Sequence, residues 1–118
     1  TSFIFLDKYQ NTGGIKMPVT TIYEDGIITA FLMGDIDHHS AAVMREHIDH
    51  MVETSLPEKL IIDFKDVTFM DSSGIGLIMG RYKLMRSIGG DIAVTNVSSH
   101  IHKVMKLAGL DLLAVVIK

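Results

Sequence analysis

From Thr20 onward, short apolar runs of strand type alternate with longer segments whose apolar residues recur at helical spacing. Strands that alternate with helices predict an α/β layer fold with a largely parallel sheet. The run Leu60-Ile61-Ile62 is apolar throughout, which is typical of a strand buried on both faces. The sequence therefore predicts a single α/β domain, with a mixed, mostly parallel sheet of about five strands and helices packed on it.

The element boundaries follow from turn residues, caps and helix breakers. Asp25-Gly26 lies between two β-branched runs and predicts a hairpin. The predicted strands are 20–23, 27–33, 60–62, 92–95 and 112–117, with residues 63–70 as a connector. The predicted helices are about 40–55 with Ser40 as N-cap, about 73–87 ended by Gly89-Gly90, and a third that follows a cap at Ser98 or Ser99 and ends at Gly109.

The first 16 residues differ from the rest of the chain. Ser2 to Leu6 has strand propensity, and a polar stretch ending in a Gly pair follows. Met17 could be a natural start. Residues 1–16 are therefore expected to be either an expression remnant or an added edge strand, and residues 17–118 the folded domain.

Composition limits the classes of function. With 118 residues, 47% hydrophobic, the chain can form a core without cross-links, and the absence of Cys excludes disulfides. The net charge of -3 argues against binding to nucleic acid, which needs a basic surface. No apolar run reaches the ~18 residues that span a bilayer. We expect a cytoplasmic protein that binds neither nucleic acid nor membrane.

The second predicted helix is apolar on two sides. Leu77, Leu84 and Ile88 gather opposite the predicted core stripe, so they are either covered by another element or form an exposed patch for a partner. Gly76 and Gly80 each cost a helix about 1 kcal/mol relative to Ala, which suggests close approach of another group to the backbone. The predicted core stripe is Ile75, Ile78, Met79, Tyr82 and Met85.

The start of this helix, Asp71-Ser72-Ser73-Gly74, carries more hydroxyls than capping requires. Asp and Ser are favoured N-caps, and Ser72 is the residue expected to cap. A second Ser followed by Gly is surplus to that role. Because free N–H groups and the helix dipole favour negative charge, a phosphate here would not unfold the domain.

Two segments resemble the anti-sigma factor antagonists, single-domain bacterial proteins of the STAS fold. The segments are Gly34-Asp35-Ile36-Asp37-His38-His39 and Phe69-Met70-Asp71-Ser72-Ser73-Gly74-Ile75-Gly76, the second continuing through Gly80-Arg81-Tyr82-Lys83. The resemblance covers about Met17 to Ile117 and is greatest to the sporulation member. Sporulation members carry a further C-terminal helix, whereas this sequence ends at Lys118, which leaves the exposure of Leu77, Leu84 and Ile88 open.

The resemblance implies a switch and not an enzyme, with no cofactor and no metal. It implies that Ser73 is phosphorylated by an ATP-using anti-sigma factor kinase. The unphosphorylated protein would bind that anti-sigma factor and free its sigma factor, and a metal-dependent serine phosphatase would reset the switch. The partner-binding residues expected on this basis, together with the patch above, are Asp37, Asp71, Ser72, Ser73, Gly74, Ile75, Leu77, Arg81 and Leu84.

Three rival interpretations stay open at this point. A receiver-like domain phosphorylated on an aspartate would cluster Asp35, Asp37 and Asp63 around Mg²⁺, with Thr95 and Lys118 as accessory groups. A dinucleotide loop would use Gly74, Gly76 and Gly80, although ten residues separate them from the preceding strand. His47 and His50 have a metal-ligand spacing, but they lie off the helix stripe Met44, Ile48, Met51 and Val52 and are expected to be solvated.

Overall fold

The computed structural model describes residues 2–4, 17–113 and 115–117. Six strands form one mixed sheet in the order β1-β2-β3-β4-β5-β6. The strands are β1 (Ser2–Ile4), β2 (Val19–Glu24), β3 (Ile27–Ile36), β4 (Lys59–Met70), β5 (Asp91–Thr95) and β6 (Val115–Ile117). The helices are α1 (His38–Ser55), α2 (Ser72–Ser87) and α3 (Ser99–Leu107), and a 3-10 turn (Leu110–Leu112) precedes β6. The predicted α/β class is confirmed.

The sheet is antiparallel on one side and parallel on the other. β1, β2 and β3 pair antiparallel, and β3 to β6 pair parallel. The predicted hairpin joins β2 and β3 through Asp25 and Gly26, whose φ angles of 50° and 82° suit a type I′ turn. The strand beyond the expected five is β1, which lies in the N-terminal prefix. Residues 5–16 and Lys118 fall outside the part of the chain that the structure describes.

Strand β4 corrects the prediction of a connector at residues 63–70. These residues continue the strand and pair with β3 as far as Met70, with register shifts between Phe31 and Met33 and between Gly34 and Asp35. β5 pairs with β4 only as far as Asp63. Beyond that point most side chains of β4 are exposed, and the mixed polar and apolar composition of residues 64–70 hid the strand. β3 and β4 therefore extend past the rest of the sheet and carry the starts of α1 and α2.

Two predicted caps are wrong by one to three residues. Asp37, not Ser40, caps α1, and Ser40 closes a capping box: each backbone N–H donates to the other's side chain at 2.9 Å. Asp71, not Ser72, caps α2 by accepting from the Ser73 N–H at 2.7 Å. The third helix has the predicted cap at Ser98, which accepts from Ile101 at 3.2 Å.

The core lies between the sheet and the helices. The predicted α1 stripe is buried, and so is His47, which contradicts the expectation that it is solvated. His47 Nε2 lies 3.0 Å from Thr21 Oγ1, so a polar strand residue meets it inside the fold. Within the described residues, no helix combines the length and apolarity that a membrane crossing requires. The buried stripe of α1 is Met44, Ile48, Met51 and Val52.

Candidate functional site

Two adjacent strand ends place the starts of α1 and α2 side by side. Ile36 ends β3 and Met70 ends β4, and the two are register partners. The next residue of each chain segment, Asp37 or Asp71, caps the following helix. The Asp71 N–H also donates to the Ile36 carbonyl at 3.1 Å, which links the two junctions directly. Two carboxylates predicted to be functional are thereby brought to one edge of the sheet.

The Asp37 carboxylate is stabilised in its charged form. The Ser40 backbone N–H, more than any other group, holds the pKa of Asp37 below its ordinary value of 3.8. The Ser40 side chain, the His39 backbone and the His39 charge act in the same direction. Asp37 is nevertheless exposed, so its charge is available to a partner as well as to the capping box.

Ser72 and Ser73, at the start of α2, differ in how exposed they are. Ser72 is the first residue of α2 and its side chain is exposed. Ser73 is half-buried and is one of the residues that line a groove of about 440 Å³ between α1 and α2. The groove residues are His38, Ala41, Ala42 and Arg45 from α1 and Ser73, Gly76, Leu77, Gly80 and Arg81 from α2.

The three glycines of α2 have two different roles. A Cβ on Gly74 would collide with the Met70 side chain, so this glycine permits the close strand-to-helix turn. A Cβ on Gly76 or Gly80 would meet nothing within 4 Å. Close approach within the fold therefore explains Gly74 only, while Gly76 and Gly80 leave the helix backbone open toward the groove. All three lie inside α2, which contradicts the dinucleotide-loop interpretation.

The buried face of α2 differs from the predicted stripe. Met79, predicted to be core, is 38% exposed, whereas Leu77 and Arg81 are 4% and 6% exposed. Leu84 is half-buried and packs against the core. Of the two alternatives left open for Leu77, Leu84 and Ile88, the covered one is observed: Leu77 is buried, and Leu84 and Ile88 are partly buried against the core. The described residues that α2 buries are Gly74, Leu77, Ile78, Arg81 and Met85.

Arg81 is buried because a carboxylate from α1 meets it. Its Nε lies 2.8 Å from Asp49 Oδ1. Burial lowers the pKa of Arg81, and Asp49 opposes that shift. Burial likewise raises the pKa of Asp49, and Arg81 opposes it. Arg81 thus joins α2 to α1 beside the groove. The sequence pattern did not predict this role, because an arginine on a helix is ordinarily assigned to the surface.

Two apolar side chains, one before α2 and one on it, are exposed although the sequence did not predict their exposure. Phe69 is 54% exposed at the end of β4, and Met79 lies on the outer side of α2. Phe69 is the register partner of Asp35, which lies in an exposed stretch of β3. Phe69 belongs to the quoted Phe69–Gly76 motif, but the sequence placed it in a connector, where no periodic pattern indicated which way its side chain faces.

The structure does not assemble the carboxylate cluster of a receiver. Asp63 pairs with Phe31 on β3, four positions before Asp35, which places the two acids about 13 Å apart along the strands. Asp63 accepts from Asn96 at 3.0 Å, and Asp35 accepts from Thr68 at 2.6 Å. Among the described residues, no group of three or more His, Asp or Glu side chains is placed to hold a metal ion.

The chain belongs to the STAS domain family, whose model matches residues 19–116. Its relatives include the anti-sigma F factor antagonist of Paenibacillus polymyxa, 36% identical over 96 residues that cover 81% of this chain and 82% of the relative.

Two solved structures are also similar. Unphosphorylated SpoIIAA, an anti-sigma factor antagonist, has a TM-score of 0.74 and 26% identity over 85% of this chain and 87% of that one. SpoIIAA as a Bacillus cell fate determinant in its phosphorylated form has a TM-score of 0.68 and 26% identity, covering 85% and 90%. The resemblance stated from the sequence is confirmed.

Proposed function

We propose that this protein is an anti-sigma factor antagonist whose binding is controlled by phosphorylation of Ser73. The unphosphorylated form binds an anti-sigma factor serine kinase and releases its sigma factor, and the phosphorylated form does not bind. The observation that carries the proposal is the position of Ser73 on an open groove at the start of α2. The chain is also similar to anti-sigma factor antagonists, one of which has a solved structure in its phosphorylated form.

The local geometry favours modification without unfolding. The helix is capped by Asp71 and not by either serine, so the Ser73 hydroxyl is free of that role. Transfer of the γ-phosphoryl group of ATP to Ser73 Oγ releases the hydroxyl proton and ADP. The product carries about -1.5 to -2 charge at a helix N-terminus, where negative charge is stabilised.

The partner surface consists of the exposed groups around Ser73. Asp37, Ser72 and Phe69 present charge, hydroxyl and apolar area, and Gly76 presents bare backbone. Of the residues expected to bind the partner, Gly74, Leu77 and Arg81 are buried, so we assign them to holding α2 in place. The Asp71 carboxylate accepts a hydrogen bond from the backbone N–H of Ser73. Ile75 and Leu84 are half-buried.

The proposed cycle makes this protein a regulator and not a catalyst. An ATP-using kinase phosphorylates Ser73, and a metal-dependent serine phosphatase removes the phosphate. Both activities belong to the partners, and a cytoplasmic location suits a protein that meets an ATP-using kinase and a sigma factor.

The decisive experiment combines phosphorylation with binding. The protein is incubated with a candidate anti-sigma factor kinase and ATP, and the modified residue is mapped by mass spectrometry. Ser73→Ala is expected to bind the kinase and resist inactivation by ATP, and Ser73→Asp to bind more weakly. Ser72→Ala is the matched control and should be phosphorylated like the parent. Label on Asp37 or Asp63 that is lost in acid would contradict the proposal and favour a receiver mechanism.

A further inference from the structure

The groove beside Ser73 is lined by basic side chains, small residues and one leucine. His38 and Arg45 contribute from α1 and Arg81 from α2, and none of the described residues that line it is acidic. His38, Ala41, Ala42 and Arg45 recur at three- and four-residue intervals, which places them on one face of α1. The alanines, together with Gly76 and Gly80 opposite, leave the space between the helices empty. Such a groove suits an anion larger than a carboxylate.

The two arginines of the groove differ in what they already bind. Arg81 is committed to Asp49 at 2.8 Å. Arg45 is exposed and lies close enough to Asp49 to lower the pKa of that carboxyl, but among the described residues it forms no ion pair within 4.0 Å. Side chains on a helix lean toward its N-terminus, so Arg45 leans toward the end of the groove that holds Ser73. Arg45 is therefore the cation left available for an added negative group.

We propose that the phosphate of phosphorylated Ser73 turns into this groove and pairs with Arg45. The inference rests on the proposed phosphorylation of Ser73. A phosphate that pointed outward would stay close to Asp71, whose carboxylate holds the Ser73 N–H at 2.7 Å, and like charges repel. Turning toward Arg45 increases the distance from Asp71 and gives the phosphate a planar guanidinium partner, with which it can form two parallel hydrogen bonds.

The pairing changes what the surface offers to a partner. In the unmodified protein the groove is open and the backbone at Gly76 and Gly80 is accessible. In the modified protein the phosphate and Arg45 fill its mouth. Phosphorylation would then remove a binding surface as well as add charge, and Arg45 is the positioning residue that couples the two effects.

The test measures the phosphate itself, without the kinase. Phosphoserine is installed at position 73 by genetic encoding, and the second pKa of the phosphate, ordinarily near 6, is followed by ³¹P NMR. The carboxylates of Asp71, Asp37 and Asp49 raise this pKa, whereas the guanidinium groups of Arg45 and Arg81 lower it. At about 0.1 M ionic strength, where the screening length is about 10 Å, Arg45→Gln is expected to raise the phosphate pKa by about 0.5 to 1 pH unit, and Arg45→Lys by less.

A matched arginine separates local pairing from net charge. Arg86 is an exposed arginine thirteen residues beyond Ser73 on α2, or about 20 Å along the helix. Arg86→Gln is expected to leave the phosphate pKa unchanged, since that distance exceeds the screening length. An equal shift from both variants, or none from Arg45→Gln, would overturn the inference. Circular dichroism confirms that each variant is folded. Because no kinase is present, this result does not depend on whether the protein binds an anti-sigma factor.

Discussion

Arg81 Nε on α2 and Asp49 Oδ1 on α1 lie 2.8 Å apart, and this ion pair joins the two helices that form the groove. Burial shifts the pKa of each group toward its neutral form, and the partner only opposes that shift. Because removing two charges from water has a large desolvation cost, we expect the pair to specify helix position more than to stabilise the fold.

A double-mutant cycle tests that expectation. Asp49→Leu leaves a cation buried without a partner and should lower the free energy of unfolding by about 1–3 kcal/mol. The double variant Asp49→Leu with Arg81→Met should be close to the parent in stability, because neither charge stays buried. Urea unfolding of the parent, both single variants and the double variant measures the coupling. A double variant as unstable as the sum of the single changes would contradict the account.

Gly74 and Gly76 form a matched pair two residues apart. Gly74→Ala places a methyl group against Met70 and should lower the free energy of unfolding by about 1–3 kcal/mol. Gly76→Ala meets open space and should raise it by up to about 1 kcal/mol. If a partner approaches the groove closely, the stabilised Gly76→Ala variant should nevertheless bind more weakly. Thermal unfolding and binding titrations of the two variants decide this, and unchanged affinity for Gly76→Ala would exclude close approach there.

The cap of α2 can be assigned by two alanine substitutions. Asp71→Ala removes the acceptor of the Ser73 N–H and should cost about 0.5–2 kcal/mol of stability. Ser72→Ala changes an exposed side chain in the first turn and should alter stability by less than about 0.5 kcal/mol. Chemical denaturation of both variants is sufficient. A larger loss from Ser72→Ala would return the cap to the serine that the sequence suggested.

Asp37 should give the stability a specific dependence on pH. Because its pKa is lower in the folded protein than the ordinary 3.8, its charged form contributes stability above pH 3.8, and that contribution is lost as pH falls through the folded pKa. Asp37→Asn keeps a capping oxygen but does not titrate. The stability difference between parent and variant should therefore be constant near neutrality and shrink in acid. A difference that grows as the pH falls would show that the carboxylate is not stabilised by the fold.

Phe69 offers a test of the partner surface that leaves the core intact. Its side chain is 54% exposed, so Phe69→Ser should change stability little but weaken binding of the anti-sigma factor by tenfold or more, as buried aromatic contacts at interfaces typically do. Leu107 is 84% exposed at the end of α3 and serves as the control. Equal affinity of Phe69→Ser and Leu107→Ser for the partner would place Phe69 outside the interface.

The sequence predicted the fold well wherever local patterns and tertiary packing agree. The hairpin at Asp25-Gly26 and the end of α2 before Gly89 depend on backbone conformations that those residues favour, and both are observed. Strand β4 was recognised only in its apolar half. Its second half pairs with β3 alone, so its exposed polar side chains do not show the pattern of a buried strand.

The face of α2 was the main error, and one residue explains much of it. An arginine is ordinarily assigned to solvent, but Arg81 is buried by a carboxylate thirty-two positions earlier in the chain, and no local pattern reports that pairing. Once Arg81 turns inward, Leu77 one turn earlier also becomes buried, and Met79 turns outward. His47 was misplaced for the same reason, since its partner Thr21 lies on a different strand.

The hydrogen bond from the Asp71 N–H to the Ile36 carbonyl limits how far the starts of α1 and α2 can move. It fastens the junctions before α1 and α2 to each other and to the sheet, so neither helix start can shift without breaking strand pairing. We therefore expect the proposed phosphate on Ser73 to act in place, without a change in the conformation of the fold. The whole difference in partner affinity would then distinguish the unmodified form from the phosphorylated form, because no part of the binding free energy is used to change the conformation of the fold. Such a scaffold should accept new partners through changes at the rim of the groove while its folding remains unaltered.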